Sequence, residues 1–194
     1  MSTGDNTSTA TGAVISECGR YRYRLWRRWE LTAPQVTWIM LNPSTADATD
    51  DDPTIRRCVR FAIAWGYGGI DVVNLFGLRA TNPQQVKAVP LVEALGPDNW
   101  THVAAATERG GWYPPPGHPV EDPIVVAAWG AHGALHDRGH LMRTWLAAAG
   151  VPVWCLRTTA DGHPVHPLAR GRHHVPADTR PQPLPPPHNG EDQP

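Results

Sequence analysis

The stretch Trp38-Ile39-Met40-Leu41-Asn42-Pro43-Ser44-Thr45 decides how the chain is read. Trp38 to Leu41 is an unbroken apolar run, as expected of a short strand covered on both faces. Asn42-Pro43-Ser44-Thr45 ends it. Pro43 has no ladder donor, and Asn42, Ser44 and Thr45 can bond nearby backbone. Asp52-Pro53 then sets an N-cap followed by proline in the first turn of a helix. Ile55, Cys58, Val59, Ala62 and Ile63 follow at helical spacing as one apolar stripe, with Arg56, Arg57 and Arg60 off it. Strand, polar loop and helix in this order place a ligand site at the strand's carboxyl end, where open α/β sheets bind.

Working outward, Ile70 to Leu75 reads as a second buried strand, with Asn74 near its end. Joined to the first through a helix, it makes a right-handed βαβ unit. Ile124 to Trp129, closed by Gly130, is a third strand, and Val151 to Leu156 a fourth. A helix is expected from Asp98 to Arg109. Another, from about Asp137, carries Leu141, Met142, Trp145 and Leu146 as its inward stripe. Ahead of these, Arg20 to Trp26 alternates basic with apolar residues, a half-buried strand whose arginines protect a sheet edge or, as the alternative, form a phosphate-binding face. The fold class is therefore α/β: a three-layer sandwich with a central, mainly parallel four-stranded sheet and an extra N-terminal edge strand. Residues 1–14 read as a disordered tail, 15–178 as one α/β domain, and 179–194 as a proline-rich disordered tail.

A chain of 194 residues suits one domain with a full core. A formal net charge of −1 provides no global field toward nucleic acid or membrane, although local patches remain open. No apolar run is long enough to span a bilayer, and Met1 to Ala13 lacks the features of a signal peptide, so cytoplasmic residence is expected. Cys18, Cys58 and Cys155 have neither paired zinc spacing nor an even count. They are read as reduced, with Cys58 and Cys155 in the core. The 9 tryptophans exceed what is usual for this length. Several are assigned to the core, and Trp112, in a Pro/Gly-rich loop, is a candidate for stacking on a base or sugar.

Four strand ends carry polar or special residues: Asn42, Asn74, the pair Trp129-Gly130, and the loop holding His166. Parallel strands bring all four to one edge. An Asn before a turn is common for backbone reasons alone, so convergence carries the argument.

The words Tyr21-Arg22-Tyr23, Met40 to Asp47, Asp52-Pro53-Thr54, Arg57-Cys58, Asn74-Leu75-Phe76, Trp129-Gly130 and Gly162 to Leu168 resemble the domain of unknown function 1643 family from about Gly19 to Asp178. That resemblance implies no activity. Shorter words resemble, in the same order, the uracil-DNA glycosylase superfamily: Asn42-Pro43, Asn74, Trp129-Gly130 and His166-Pro167, with Leu168 where that superfamily has Ser. The likeness implies that Asn42 positions water, that Asn74 reads a base edge, and that His166 bonds the departing base.

The chemistry this implies is coherent. Cleaving an N-glycosidic bond builds negative charge on the leaving base, and a neutral His166 donating there would stabilise it. Asn74 offers both a donor and an acceptor to a base edge. Asn42 can hold water but cannot act as a base near neutral pH. Asn42 and His166 are thus the expected catalytic pair. Asn74, Phe76 as a stacking face, Ser44, Thr45, Trp129, His163 and Arg57 are the expected substrate contacts. The expected function is N-glycosidase-like, on a nucleobase in a nucleic acid or a free nucleoside or nucleotide. The alternative is a non-catalytic binder of nucleic acid or nucleotide using the same pocket with Arg56, Arg57 and Arg60. A third reading is a metal-dependent hydrolase built on Asp47, Asp50, Asp51 and Asp52. His132, His136 and His140, spaced by four, would be zinc ligands only on an unbroken helix, which Gly133 and Gly139 interrupt. No metal and no cofactor are expected. The partner is a nucleobase-containing substrate, a nucleotide or single-stranded nucleic acid, and no membrane.

Overall fold

The computed structural model describes residues 10–108 and 123–185. Four parallel strands lie at the centre. β3 (Gln35–Met40) sits between β4 (Gly69–Asn74) and β5 (Ile124–Ala127), and β5 pairs with β6 (Val153–Cys155). Antiparallel strands extend both sides. β2 (Arg22–Arg28) pairs with β4, β1 (Ala10–Ile15) pairs with β2, and the two-residue β7 (Gln182–Pro183) pairs with β6. The sheet thus has 7 strands in the order β1-β2-β4-β3-β5-β6-β7, rather than the expected four with one edge strand.

β2 is an interior strand, which corrects its reading as a charge-protected edge. Its arginines do other work. Arg24 donates from Nε to Asp71 at 2.8 Å, and Arg27 donates to Asp51 at 2.8 Å. The edge belongs to β1, where Gly12 lets the chain pass over the Trp26 indole. A Cβ at Gly12 would lie 2.1 Å from that ring. Residues 10–14 and 179–185 therefore belong to the described structure, not to structureless tails. Residues 1–9, 109–122 and 186–194, with Trp112 among them, lie outside the described residues.

α1 (Pro53–Trp65) begins as its sequence dictates. Asp52 accepts from the backbone N–H of Thr54 at 2.8 Å and Ile55 at 2.9 Å, and Gly66 closes the helix in the left-handed region at φ 90°. Its inward face is Ile55, Cys58, Phe61, Ala62 and Trp65; Ile63 is exposed. The stripe is centred on positions three and four apart from Cys58, and Ile63 falls beyond its margin. Phe61 and Trp65 stack at 5.4 Å, and Trp65 stacks on Trp38 of β3 at 5.7 Å. One apolar layer forms between this helix and the sheet.

The other face of the sheet carries Ile39, Val73, Val125 and Ala127. These are covered by Val103 and Ala106 of α4 (Asn99–Glu108) and by Met142 and Leu146 of α5 (Arg138–Ala148). Two short helices, α2 (Pro83–Lys87) and α3 (Leu91–Leu95), add Val86 and Ala94. In α5, Leu141 is exposed, contrary to its expected inward position, and Trp145 packs edge-on against Trp100 at 4.6 Å. Cys58 and Cys155 are buried free thiols. Among the described residues no helix is long and apolar enough to cross a membrane.

Register then positions the site. Met40 pairs with Asn74, Ile39 with Ala127, and Ala127 with Cys155. The parallel strands end at one level. β2 runs the other way, so its first residue, Arg22, meets the last residues of β4, and its N–H donates to Gly77 at 3.0 Å.

Candidate functional site

A cleft of about 470 Å³ opens at this edge. Asn42, Ser44, Asn74, Trp129, Gly130 and His166 all line it. The strand-end residues picked out by sequence therefore share one cavity.

Asn42 follows β3, and its amide nitrogen is engaged. Nδ2 donates to the Ala80 carbonyl at 2.7 Å and to the Pro43 carbonyl at 3.1 Å. Only Oδ1 remains free for a ligand or water. Asn74, the last residue of β4, is the opposite case. It is 1% exposed, and among the described residues neither Nδ2 nor Oδ1 has a hydrogen-bond partner. A buried amide left in this state is costly unless something entering the cleft satisfies it.

His166 is held in one tautomer. Its Nδ1 accepts from the Leu168 N–H at 3.1 Å, so the neutral ring carries its proton on Nε2. Burial pushes its pKa down to about 4, against a smaller upward pull from Asp52. The ring is therefore a neutral donor at neutral pH. Gly130 carries the loop to this place. Its φ of 70° suits glycine, and its N–H donates to Pro164 at 2.8 Å. Trp129 forms a wall of the cleft, its indole clasped by two glycines. A Cβ at Gly133 would lie 2.1 Å from the ring, and one at Gly139 2.8 Å from it.

Four expected contacts lie elsewhere. Phe76 is fully enclosed in the second apolar layer, so it offers no stacking face. Thr45 lines a neighbouring cavity of about 380 Å³ that Ser44 shares with the cleft. His163 does not line the cleft. Its backbone closes a turn with Thr159, donating to Oγ1 at 3.2 Å and accepting from the Thr159 N–H at 2.8 Å. Arg57 sits over the Phe61 ring at 4.6 Å and donates to the Val175 carbonyl at 2.7 Å. It belongs to a separate surface cavity with Arg56, Arg60 and Arg170.

Two charged residues line the cleft that the sequence marked only through its alternative readings, a phosphate-binding arginine face and an acidic metal loop. Arg22 is 2% exposed and lines the cleft. Burial lowers its pKa to about 10, which leaves it a cation. Asp52, explained by the sequence as a cap, also lines the cleft, with Oδ1 on the α1 backbone. An available signal for Arg22 was topological: the first residue of a strand antiparallel to β4 must lie at the carboxyl edge.

The acidic loop is engaged piece by piece. Asp47 Oδ1 accepts from the Thr49 and Asp50 N–H groups, Asp51 pairs with Arg27, and Asp52 caps α1. His132 and His136 fall in a 3-10 segment, Ala131–Asp137, where His136 has φ 50°, and His140 lies in α5. Among the described residues no cluster of three His, Cys, Asp or Glu is placed to hold a metal ion.

No curated protein matches the chain. A crystal structure of hetero-hexameric glutamate dehydrogenase from Thermus thermophilus, in its Leu-bound form, is similar at 13% identity and a TM-score of 0.32. The alignment covers 74% of this chain and 31% of that one, and the likeness is too low to bear on fold or function. The family model described as "Protein of unknown function (DUF1643)" matches residues 22–168, more than half of the chain. The chain, with its strand-end cleft, belongs to the DUF1643 family.

Proposed function

We propose that the cleft recognises a nucleobase and that the protein is an N-glycosidase-like hydrolase, related in layout to uracil-DNA glycosylases. The observation that carries this is Asn74: a buried amide in the cleft with donor and acceptor both unpartnered. A base edge presents the matching acceptor and donor side by side. In the proposed reaction the glycosidic electron pair leaves with the base, and His166 Nε2–H donates to the anion that develops there. Water held by Asn42 Oδ1 attacks the sugar carbon. Asp52, the one carboxylate lining the cleft among the described residues, takes the water's proton, and its charge favours the cationic sugar.

A second reading has its own support. Asn42 has no basic group, and Arg56, Arg57, Arg60 and Arg170 gather in a cavity beside the cleft, which suits a non-catalytic binder of nucleic acid or nucleotide. One experiment separates the two. The protein is incubated with free nucleosides and with single-stranded oligonucleotides carrying modified bases, and released base is measured for wild type, Asn42→Ala and His166→Ala. Release that falls in both variants supports the hydrolase. Binding without release from any substrate supports the binder.

A further inference from the structure

Arg22 is the charged group in the cleft whose environment is least complete. Its neighbours on β2 show what completion looks like: Arg24 is paired with Asp71 and Arg27 with Asp51. Arg22 forms no such pair. Among the described residues its only hydrogen bond from the guanidinium is Nη1 to the Ala46 carbonyl at 2.5 Å, and Nε has no partner. Among the described residues its charged surroundings are Asp52 and Asp47, which attract it, and Arg27 and Arg79, which repel it. Asp52 is engaged by the α1 backbone, Asp47 by its own turn, and Arg27 is answered by Asp51. Among the described residues no carboxylate pairs with Arg22. A buried guanidinium without a counter-ion is strongly disfavoured, and its fork geometry suits an oxyanion.

We propose that Arg22 is an anion subsite, and that the ligand of the cleft carries a phosphoryl group beside its base. The ligand class is then a nucleotide, or one nucleotide unit of a strand, rather than a free base or nucleoside. The Nη1 bond to Ala46 fixes the guanidinium against the loop after β3, so the phosphoryl group sits at the Ser44–Ala46 end. Ser44 lines both the cleft and the adjoining cavity that holds Arg79, which adds positive potential at that end. The base half of this ligand rests on the proposed function; the anion half rests on Arg22 alone.

Calorimetric titration of the full chain tests it, using a free base, its nucleoside, the 5′- and 3′-monophosphates, a short single-stranded oligonucleotide, and inorganic phosphate. Wild type should bind a monophosphate roughly ten- to hundredfold more tightly than the nucleoside, as expected for charge-assisted hydrogen bonds. Arg22→Met should lose that preference and Arg22→Lys keep part of it, with folding checked by melting. Equal affinity for nucleoside and monophosphate in wild type would overturn the proposal, and that comparison needs no variant. So would a preference that survives Arg22→Met. If no base or nucleoside binds but inorganic phosphate does, and Arg22→Met abolishes it, the base reading fails and the anion subsite stands. Failure of every phosphate-bearing probe to bind overturns the subsite. An oligonucleotide that binds more tightly than the monophosphate, with steep salt dependence, identifies the phosphate as a strand's; equal binding identifies a free nucleotide.

Discussion

Asn42 and Asn74 end adjacent parallel strands on the same edge, yet they are in opposite states. Asn42 spends its amide N–H groups on two backbone carbonyls and ties the loop after β3 to the loop after β4. Asn74 is more deeply buried, and its side-chain amide bonds nothing among the described residues. The same residue type, in the same topological place, is a clip in one case and an amide without a partner among the described residues in the other. Position at the carboxyl edge selects polar residues; only the hydrogen-bond accounting separates the engaged amide from the unengaged one.

The largest effect expected from this contrast is on binding. Asn74→Leu, similar in volume and without unmet polar atoms, should abolish nucleobase binding, measured by calorimetry, while leaving the melting temperature equal or higher. A melting temperature that drops sharply would mean that Asn74 has a structural role after all. Next in size is Asn42→Ala, which should lower unfolding stability by about 2 kcal/mol in urea titration, because two hydrogen bonds go and the Ala80 carbonyl loses its side-chain donor. Asp52 comes third. Asp52→Ala should cost about 1 kcal/mol through the lost cap, whereas Asp52→Asn should cost only a few tenths, since Asn caps nearly as well. Base release that fails in Asp52→Asn with stability intact would separate its chemistry from its capping.

A further effect appears only on acidification. His166 is neutral in the fold with a pKa near 4, against an ordinary value of 6.5. The unfolded chain therefore takes up a proton first as pH falls. The stability His166 contributes is complete above about 6.5 and is lost between there and about 4. His166→Gln lacks this group, so its urea midpoint should change less than that of wild type between pH 7 and pH 4.5.

What was legible in the sequence follows from which features are local. Apolar runs ending at Asn42, Asn74 and Trp129 give strands and their ends directly, and parallel pairing brings the ends together. Asp52-Pro53 gives the start of α1 for the same local reason. Arg22 was hidden because its place depends on β2 entering the sheet antiparallel to β4, a long-range fact. Its alternation with Arg20 and Arg24 favoured an edge over a phosphate-binding face. β1 was missed because Ala10 to Ile15 has weak alternation, with Gly12 serving only to clear the Trp26 ring. Phe76 sits one residue past the apolar run yet turns into the core, and nothing in its neighbours marks that direction.

The Asn42 clip has one more consequence, for the order of assembly. The bond from Asn42 to Ala80 joins residues 38 apart along the chain, and it can close only after the α1 crossover has brought β3 beside β4. A chain with its helices formed and its parallel strands still apart has no rim for a guest to enter. Ligand binding by this protein should therefore appear late in refolding, with the last native signal rather than the first.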